Sequence, residues 1–276
     1  MDQINLMTSA TLVENGAVRL KQTRHGLMLY NIHDMYLGRC LDLYGEYSRG
    51  EYLFLSQVVR PGMTVLDIGA NIGAHTLWMA QAVGPAGTVW AFEPQRVVHQ
   101  MLCANLALNN LGNVRALHLG VGRKAGKAAI PPLDYGRGNN FGGIALREAG
   151  RGEDVPVITV DSLNLTACHV AKIDVEGMEG DVLAGAKKTI EKHRPVLYVE
   201  NDRRDKSPAL IKQLWALGYT LYWHLPPLVS SDNFFGNQAN VFPGTVSVNL
   251  VCLPKEAKPI EGQTPVADAE EHPMKR

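Results

Sequence analysis

An α/β fold built on a mostly parallel sheet is predicted by three features of this 276-residue sequence. From Thr64 onward, short apolar runs alternate with longer amphipathic ones. The first of these runs breaks into glycines and then opens a helix. The second ends in an acid, Glu93, twenty positions past Gly73. Strands alternating with helices mean βαβ units, and no repeat at a fixed period indicates a solenoid or propeller.

The elements follow in order. Residues 1–60 read as a helical or extended segment packing on the core, with Tyr52, Leu55, Val58 and Val59 marking a helix that ends before Pro61. TVLDIG (64–69) is the first core strand, and AHTLWMAQAVG (74–84) is a helix with Leu77, Ala80 and Gln81 at helical spacing and Gly84-Pro85 as its stop. TVWAFEP (88–94) is the second strand. The helix that follows shows Val97, Met101, Ala104 and Leu108 on one face and ends near Gly112, and NVRALHLGVG (113–122) is the third strand. Residues 122–152, rich in Gly, Asn and basic side chains, read as a hairpin followed by a mobile loop, a candidate lid. Regular structure resumes with DVPVITVDSLN and HVAKIDVEG, one helix over 179–192, the strand PVLYVEN, a helix over 208–217 and the strand YTLYWH. A loop at 225–244 precedes the last strand, SVNLVCLP, and the polar tail 254–276 is expected to be disordered, which leaves 61–253 as the core domain.

Composition narrows the function. Hydrophobic residues make up 46% and charged residues 20%, an ordinary globular balance, and Lys+Arg equals Asp+Glu at 27 each. No basic excess is available for nucleic acid or an anionic membrane. The four cysteines are far apart, no signal peptide or membrane span is visible, and the cytoplasm is the expected compartment.

The chemistry concentrates at strand ends. In the segment 65–73, VLDIGANIG, glycines let the backbone turn sharply and the helix N-terminus behind offers free N–H groups. Glu93 can accept both hydroxyls of a ribose. Asn71 stands where a dinucleotide fold has its second glycine, and Asp67 would repel a pyrophosphate, so a cationic nucleoside fits better: S-adenosylmethionine, with Thr76 and the helix N-terminus for its carboxylate. The alternative is a tight structural turn beside a solvated acid. Asp174 and Glu176, two apart on an extended segment, point the same way and can orient an acceptor and take its proton. Helix capping is the alternative for each. His224 ends another strand and can act as a base, or serve a structural role. The loop 233–242 mixes Phe with amides and can stack on a polar ring as part of a lid, or be pinned to the core by its phenylalanines.

These motifs resemble the FkbM family of S-adenosylmethionine-dependent methyltransferases. The family's D-x-G-A-N-x-G matches residues 67–73, F-E-P matches Phe92-Glu93-Pro94, V-D-S-L matches 160–163, and K-I-D-V-E-G-x-E-x-x-V-L-x-G-A matches 172–186. The similarity runs from about Tyr44 to Asn201. It implies a Rossmann-like class I methyltransferase fold, a seven-stranded mostly parallel sheet with an antiparallel last strand and helices on both faces. It implies O-methylation, with S-adenosylhomocysteine as product. Asp67, Gly69, Ala70, Asn71, Gly73, Thr76, Glu93 and Pro94 are then expected to line the cofactor. Gly120, Val121 and Gly122 are expected beside the adenine, Glu46 and Tyr47 near the methionine end, and Asp174 between cofactor and acceptor. Asp174 with Glu200 and Asn201 would resemble the oxygen set that holds magnesium in catechol-type methyltransferases, although solvated polar ends are the simpler reading and no metal is assigned. The expected acceptor is a hydroxyl on a sugar, glycolipid or secondary metabolite. N-methylation of an amine or peptide and a non-catalytic cofactor-binding protein are the alternatives. The oligomeric state stays open, a homodimer included.

Overall fold

The computed structural model describes residues 9–147 and 150–274. The N-terminal segment is more structured than its sequence announces. It forms an antiparallel meander of β1 (Thr11–Asn15), β2 (Val18–Thr23) and β3 (Gly26–Asn31), then α1 (Leu37–Tyr44) and α2 (Arg49–Leu55).

The core continues with β4 (Thr64–Ile68), α3 (Ala74–Val83), β5 (Thr88–Phe92), α4 (Arg96–Leu108), β6 (Val114–Leu117), β7 (Gly120–Val121), β8 (Gly126–Ile130) and β9 (Glu153–Ile158). A 3-10 turn at Val160–Leu163 leads to β10 (Val170–Ile173), α5 (Glu179–Gly185), α6 (Lys187–His193), β11 (Val196–Glu200), α7 (Ser207–Ala216), β12 (Tyr219–His224) and β13 (Asn249–Pro254). Seven strands form the main sheet in the order β12-β13-β11-β10-β4-β5-β6. The pairs are parallel except where β13 lies between β12 and β11, antiparallel to both. This is the expected Rossmann-like α/β sheet, with the antiparallel strand last in sequence and interior in position.

Parallel strands covered on both faces read as continuous apolar runs, and β10 is buried along its whole length. Register levels the strand ends: Ile68 pairs with both Ile173 and Phe92. The turns after β4, β5 and β10 therefore meet at one edge.

Several boundaries differ from the sequence reading. The buried positions of α4 are Val98, Leu102, Asn105 and Leu106, one step round from the expected face. The reason is polar: Asn105 accepts from Leu29 N at 2.6 Å and donates to the carbonyls of Leu29 and Ile72, while Asn109 serves Leu27 in the same way. The helix faces the backbone of β3 rather than an apolar surface alone. The expected single helix at 179–192 is broken at Ala186, because Asp161 accepts the N–H groups of Lys188 and Thr189 and so caps α6 as a separate helix. Gly120 and Val121 do not end the third sheet strand; they form β7, paired to β9 in a separate three-stranded sheet. Among the described residues of 122–152 the one strand is β8, whose partner β9 follows the loop, and Ala129 of β8 also makes an antiparallel bridge to Arg147.

The tail expected to be disordered lies on the core through residue 274. Val266 N–H donates to Leu221 O at 2.8 Å, Ala269 is buried, and His272 receives a ring contact from Trp223 and bonds Asn201 O at 3.0 Å. Its few apolar residues, Ile260, Val266 and Ala269, are the ones that pack. Among the described residues no helix is long and apolar enough to cross a membrane.

Candidate active site

A cavity of about 390 Å³ opens at the carboxyl edge of β4, β5, β10 and β11. Its first wall is the turn after β4. Gly69 and Asn71 both have positive φ, 88° and 51°, so the chain reverses within three residues. A Cβ on Gly69 would stand 1.7 Å from Asp174 O, so this glycine lets two strand ends touch, which is a different need from close approach of a ligand.

Glu93 forms the second wall and closes the turn. Its Oε2 accepts Asn71 N–H at 3.0 Å and its Oε1 accepts Gln95 N–H at 2.8 Å. Burial pushes this carboxyl up to about 7, against the pull of those two N–H groups. The loop after β8 forms the roof: Asn140, Gly142, Gly143, Ile144 and Leu146 line the cavity. Gln95 Nε2 holds that loop by donating to Phe141 O at 2.6 Å.

The far end is charged. Lys172, buried in β10, places Nζ 2.7 Å from Asp174 Oδ2. Burial alone would lower its pKa, but Asp174, Asp67 and Glu51 hold it above the ordinary lysine value. Glu176 stands at φ 57° in a left-handed turn rather than on an extended segment, and Arg203 pairs with it. Burial and then Asp174 push Glu176 up to about 7. Burial, then Asp174 and Glu176, drive Glu200 well above the carboxylate range. Neither Asp174 nor Glu176 caps α5, whose N-cap residue is Met178; Glu179 instead braces the turn before the helix by accepting the N–H groups of Val175 and Gly177.

The family model for the methyltransferase FkbM domain matches residues 67–221, more than half of the chain. The chain belongs to the FkbM methyltransferase family. Two curated methyltransferases are similar. "Methyltransferase 1" of Beauveria bassiana (strain ARSEF 2860) is 29% identical over 143 residues, covering 44% of this chain and 57% of that protein. "Methyltransferase sdnD" of Sordaria araneosa is 42% identical over 72 residues, 26% of each. The chain thus spans little more than half, and about a quarter, of the length of these relatives. A solved FkbM methyltransferase from Methylobacillus flagellatus KT aligns at 18% identity with a TM-score of 0.45, covering 73% of this chain and 50% of that one.

In this FkbM chain the expected residues divide. Gly69, Ala70, Asn71, Glu93, Pro94, Gly120, Val121, Asp174 and Glu176 line the cavity, as does Tyr47. Asp67 and Thr76 lie beneath it, both fully buried, with Thr76 Oγ1 donating to Asp67 Oδ2 at 2.6 Å. Asp67 Oδ1 has no hydrogen-bond partner among the described residues. Gly73 packs toward Leu102 of α4, and Gly122 O sits against Gly185, so neither is a wall residue. Glu46 is turned away to Arg24. His224 is drawn behind the sheet end, where its Nδ1 and Tyr198 Oη lie 2.8 Å apart and burial lowers its pKa. Asn201 is spent on Ser207 and is replaced in the acidic group by Glu176. The phenylalanines at 233–242 pin their loop to the N-terminal segment: Phe234 and Phe235 lie against Gly45, and Phe242 stacks on Tyr36 at 5.7 Å. The flanks, Leu228 and 245–248, reach the cavity instead.

Sequence reasoning missed Lys172, His75, Gln95 and Arg203 in the wall. A lysine inside an apolar strand was the available signal for Lys172. His75 carries no such signal, since its meaning depends on Glu51 of α2, whose Oε2 is 3.2 Å from His75 Nε2. Burial would raise the Glu51 pKa, yet His75 and Lys172 bring it down to about 2.

Proposed function

We propose that this protein methylates a hydroxyl of a small polar acceptor such as a sugar, glycolipid or secondary metabolite, with S-adenosylmethionine as its cofactor and the cytoplasm as its compartment. The observation that carries the reading is Glu93. Two backbone N–H groups fix its carboxylate at the cavity wall, with lone pairs left for the two hydroxyls of a ribose. The residues fit the cofactor's charge. Glu93 and Asp174 in the wall and Asp67 beneath it favour a sulfonium and an ammonium and oppose a pyrophosphate.

When bound, the cofactor supplies a methyl group made electrophilic by its sulfonium. The chain's own part is position and exclusion of water. Asn71 and Glu93 hold the nucleoside end, and the roof at 140–146 shields it. Asp174 and Glu176, at the other end, orient the acceptor and accept its hydroxyl hydrogen bond. Much of the acceleration of a direct displacement comes from such alignment.

Calorimetric titration with S-adenosylmethionine and S-adenosylhomocysteine tests the reading. Saturable binding by the wild type, lost in a folded Asp67→Ala, Glu93→Ala double variant, is expected. No binding by folded wild type overturns it. With binding in hand, labelled methyl transfer to a panel of sugars and amines separates O- from N-methylation.

A further inference from the structure

We propose that His75, held by Glu51, is a specificity-determining residue of the cofactor site: it takes the carboxylate of the ligand's amino-acid end and so selects against adenosyl compounds that lack one. The ligand's identity rests on the methyl-transfer reading, and the choice of residue goes beyond it.

Thr76, the side chain expected from the sequence to meet that carboxylate, is fully buried and spends its hydroxyl on Asp67. Among the described residues, three side chains of the cavity wall can carry positive charge: Lys172, Arg203 and His75. Lys172 is paired with Asp174 and Arg203 with Glu176, both at the acceptor end. His75 is left, on α3.

Its place in that helix suits an anion. His75 is the second residue of α3, a ten-residue helix whose N-cap, Gly73, has no side chain to cap it. Asn71 Oδ1 accepts the N–H of Ile72 at 2.8 Å and leaves the next two unserved. The N–H groups of Ala74 and His75 have no acceptor among the described residues, and both residues line the cavity. Free N–H groups at a helix start attract negative charge.

The imidazole is fixed from two sides. It is 7% exposed, and its Nε2, shut off from solvent, lies 3.2 Å from Glu51 Oε2. Glu51 is itself anchored by Asn249 of β13, whose Nδ2 donates to Oε1 at 3.3 Å. Tyr47, also in the cavity wall, stands edge-on to the ring with centroids 6.0 Å apart. His75 Nδ1 makes no hydrogen bond among the described residues. An imidazolium set between Glu51 and a ligand carboxylate donates from both nitrogens, and such charge-assisted bonds are stronger than neutral ones.

The test compares S-adenosylhomocysteine with S-adenosyl-3-thiopropylamine, which keeps the nucleoside, sulfur and amine and lacks only the carboxylate. In calorimetric titration the wild type is expected to prefer S-adenosylhomocysteine by about 10–100-fold. His75→Gln, checked for fold by circular dichroism, is expected to shrink that preference to about threefold or less while binding the amine as the wild type does. Glu51→Gln, which keeps the ring and removes its counter-charge, is expected to fall between the two. Equal affinity of the wild type for both ligands, or a wild-type preference retained in His75→Gln, overturns the assignment and leaves the methyl-transfer reading standing. Binding of neither ligand by folded wild type removes both.

Discussion

Glu93 couples backbone geometry to ligand chemistry, and its raised pKa makes that coupling visible in pH. In the role proposed for Glu93, ribose hydroxyls donate to the ionised carboxylate, and that form grows as pH rises through about 7. S-adenosylhomocysteine should therefore bind more weakly by about tenfold per pH unit below 7 and level off above it. In Glu93→Gln the profile should flatten and the affinity fall by roughly 10–100-fold, since a charge-assisted hydrogen bond is worth about 1.5–3 kcal/mol; calorimetry across pH 5.5–8.5 reads both. Glu51 behaves in the opposite sense. Its folded pKa is depressed to about 2 from 4.5, so the stability it contributes is present above about pH 4.5 and is lost as pH falls toward 2. Glu51→Gln should remove that acid-sensitive component and cost about 3 kcal/mol at neutral pH in urea unfolding, because the buried charge that meets His75 Nε2 and faces Lys172 is lost. At this scale the sequence was readable where a residue acts through its own strand, as Glu93 does. It was silent where the partner comes from elsewhere in the chain: Glu46 pairs with Arg24, His224 with Tyr198, and His75 with Glu51.

The turns that end β4 and β10 share a device. Each strand leaves the sheet through left-handed residues, Gly69 and Asn71 in one case, Glu176 and Gly177 in the other. Gly69 combines φ 88° with the contact to Asp174 O, so Gly69→Ala should cost about 3 kcal/mol or more and abolish cofactor binding. Gly84 has φ 64° and ψ −173°, a region essentially confined to glycine, but open space around it, and Gly84→Ala should cost about 1–3 kcal/mol with binding unchanged. Chemical denaturation of the pair separates collision from backbone strain. Elements were legible where a stop signal marked them, as Gly84-Pro85 ends α3, although that helix is buried nearly all round rather than on one face. They were misplaced where a polar residue supplied the packing: Asn105 turned the face of α4, and Asp161 divided 179–192 into two helices. The meander of β1, β2 and β3 escaped notice because Leu12 and Val13 of β1 are exposed and its alternation is weak.

Across the whole molecule, a mostly parallel sheet followed from the alternation of runs and its seven strands from the resemblance to the FkbM family, whereas the structure of the two terminal segments followed from neither. The tail is polar in composition and holds on by three small apolar contacts, the ion pair of Lys212 with Glu270 and the bond from Val266 to β12. Truncation after Ala257 should cost roughly 3 kcal/mol, or about 6–12 °C of Tm for a chain of this size, read by differential scanning calorimetry. Removing residues 9–60 should be more damaging, since it strips Tyr36, Tyr47 and the Glu51 partner from the cavity. The interior place of β13 also dictates when the sheet can close. Among the described residues β12 meets the sheet only through β13, which comes after it in sequence. During synthesis β11, paired on one side to β10, keeps its other edge open, and β12 stays unpaired, until the loop at 225–248 has been traversed. A ribosome-bound or prematurely terminated chain thus presents two apolar edges for pairing with other chains. The vulnerable period of this protein's biogenesis is the interval in which residues 225–248, between β12 and β13, are made.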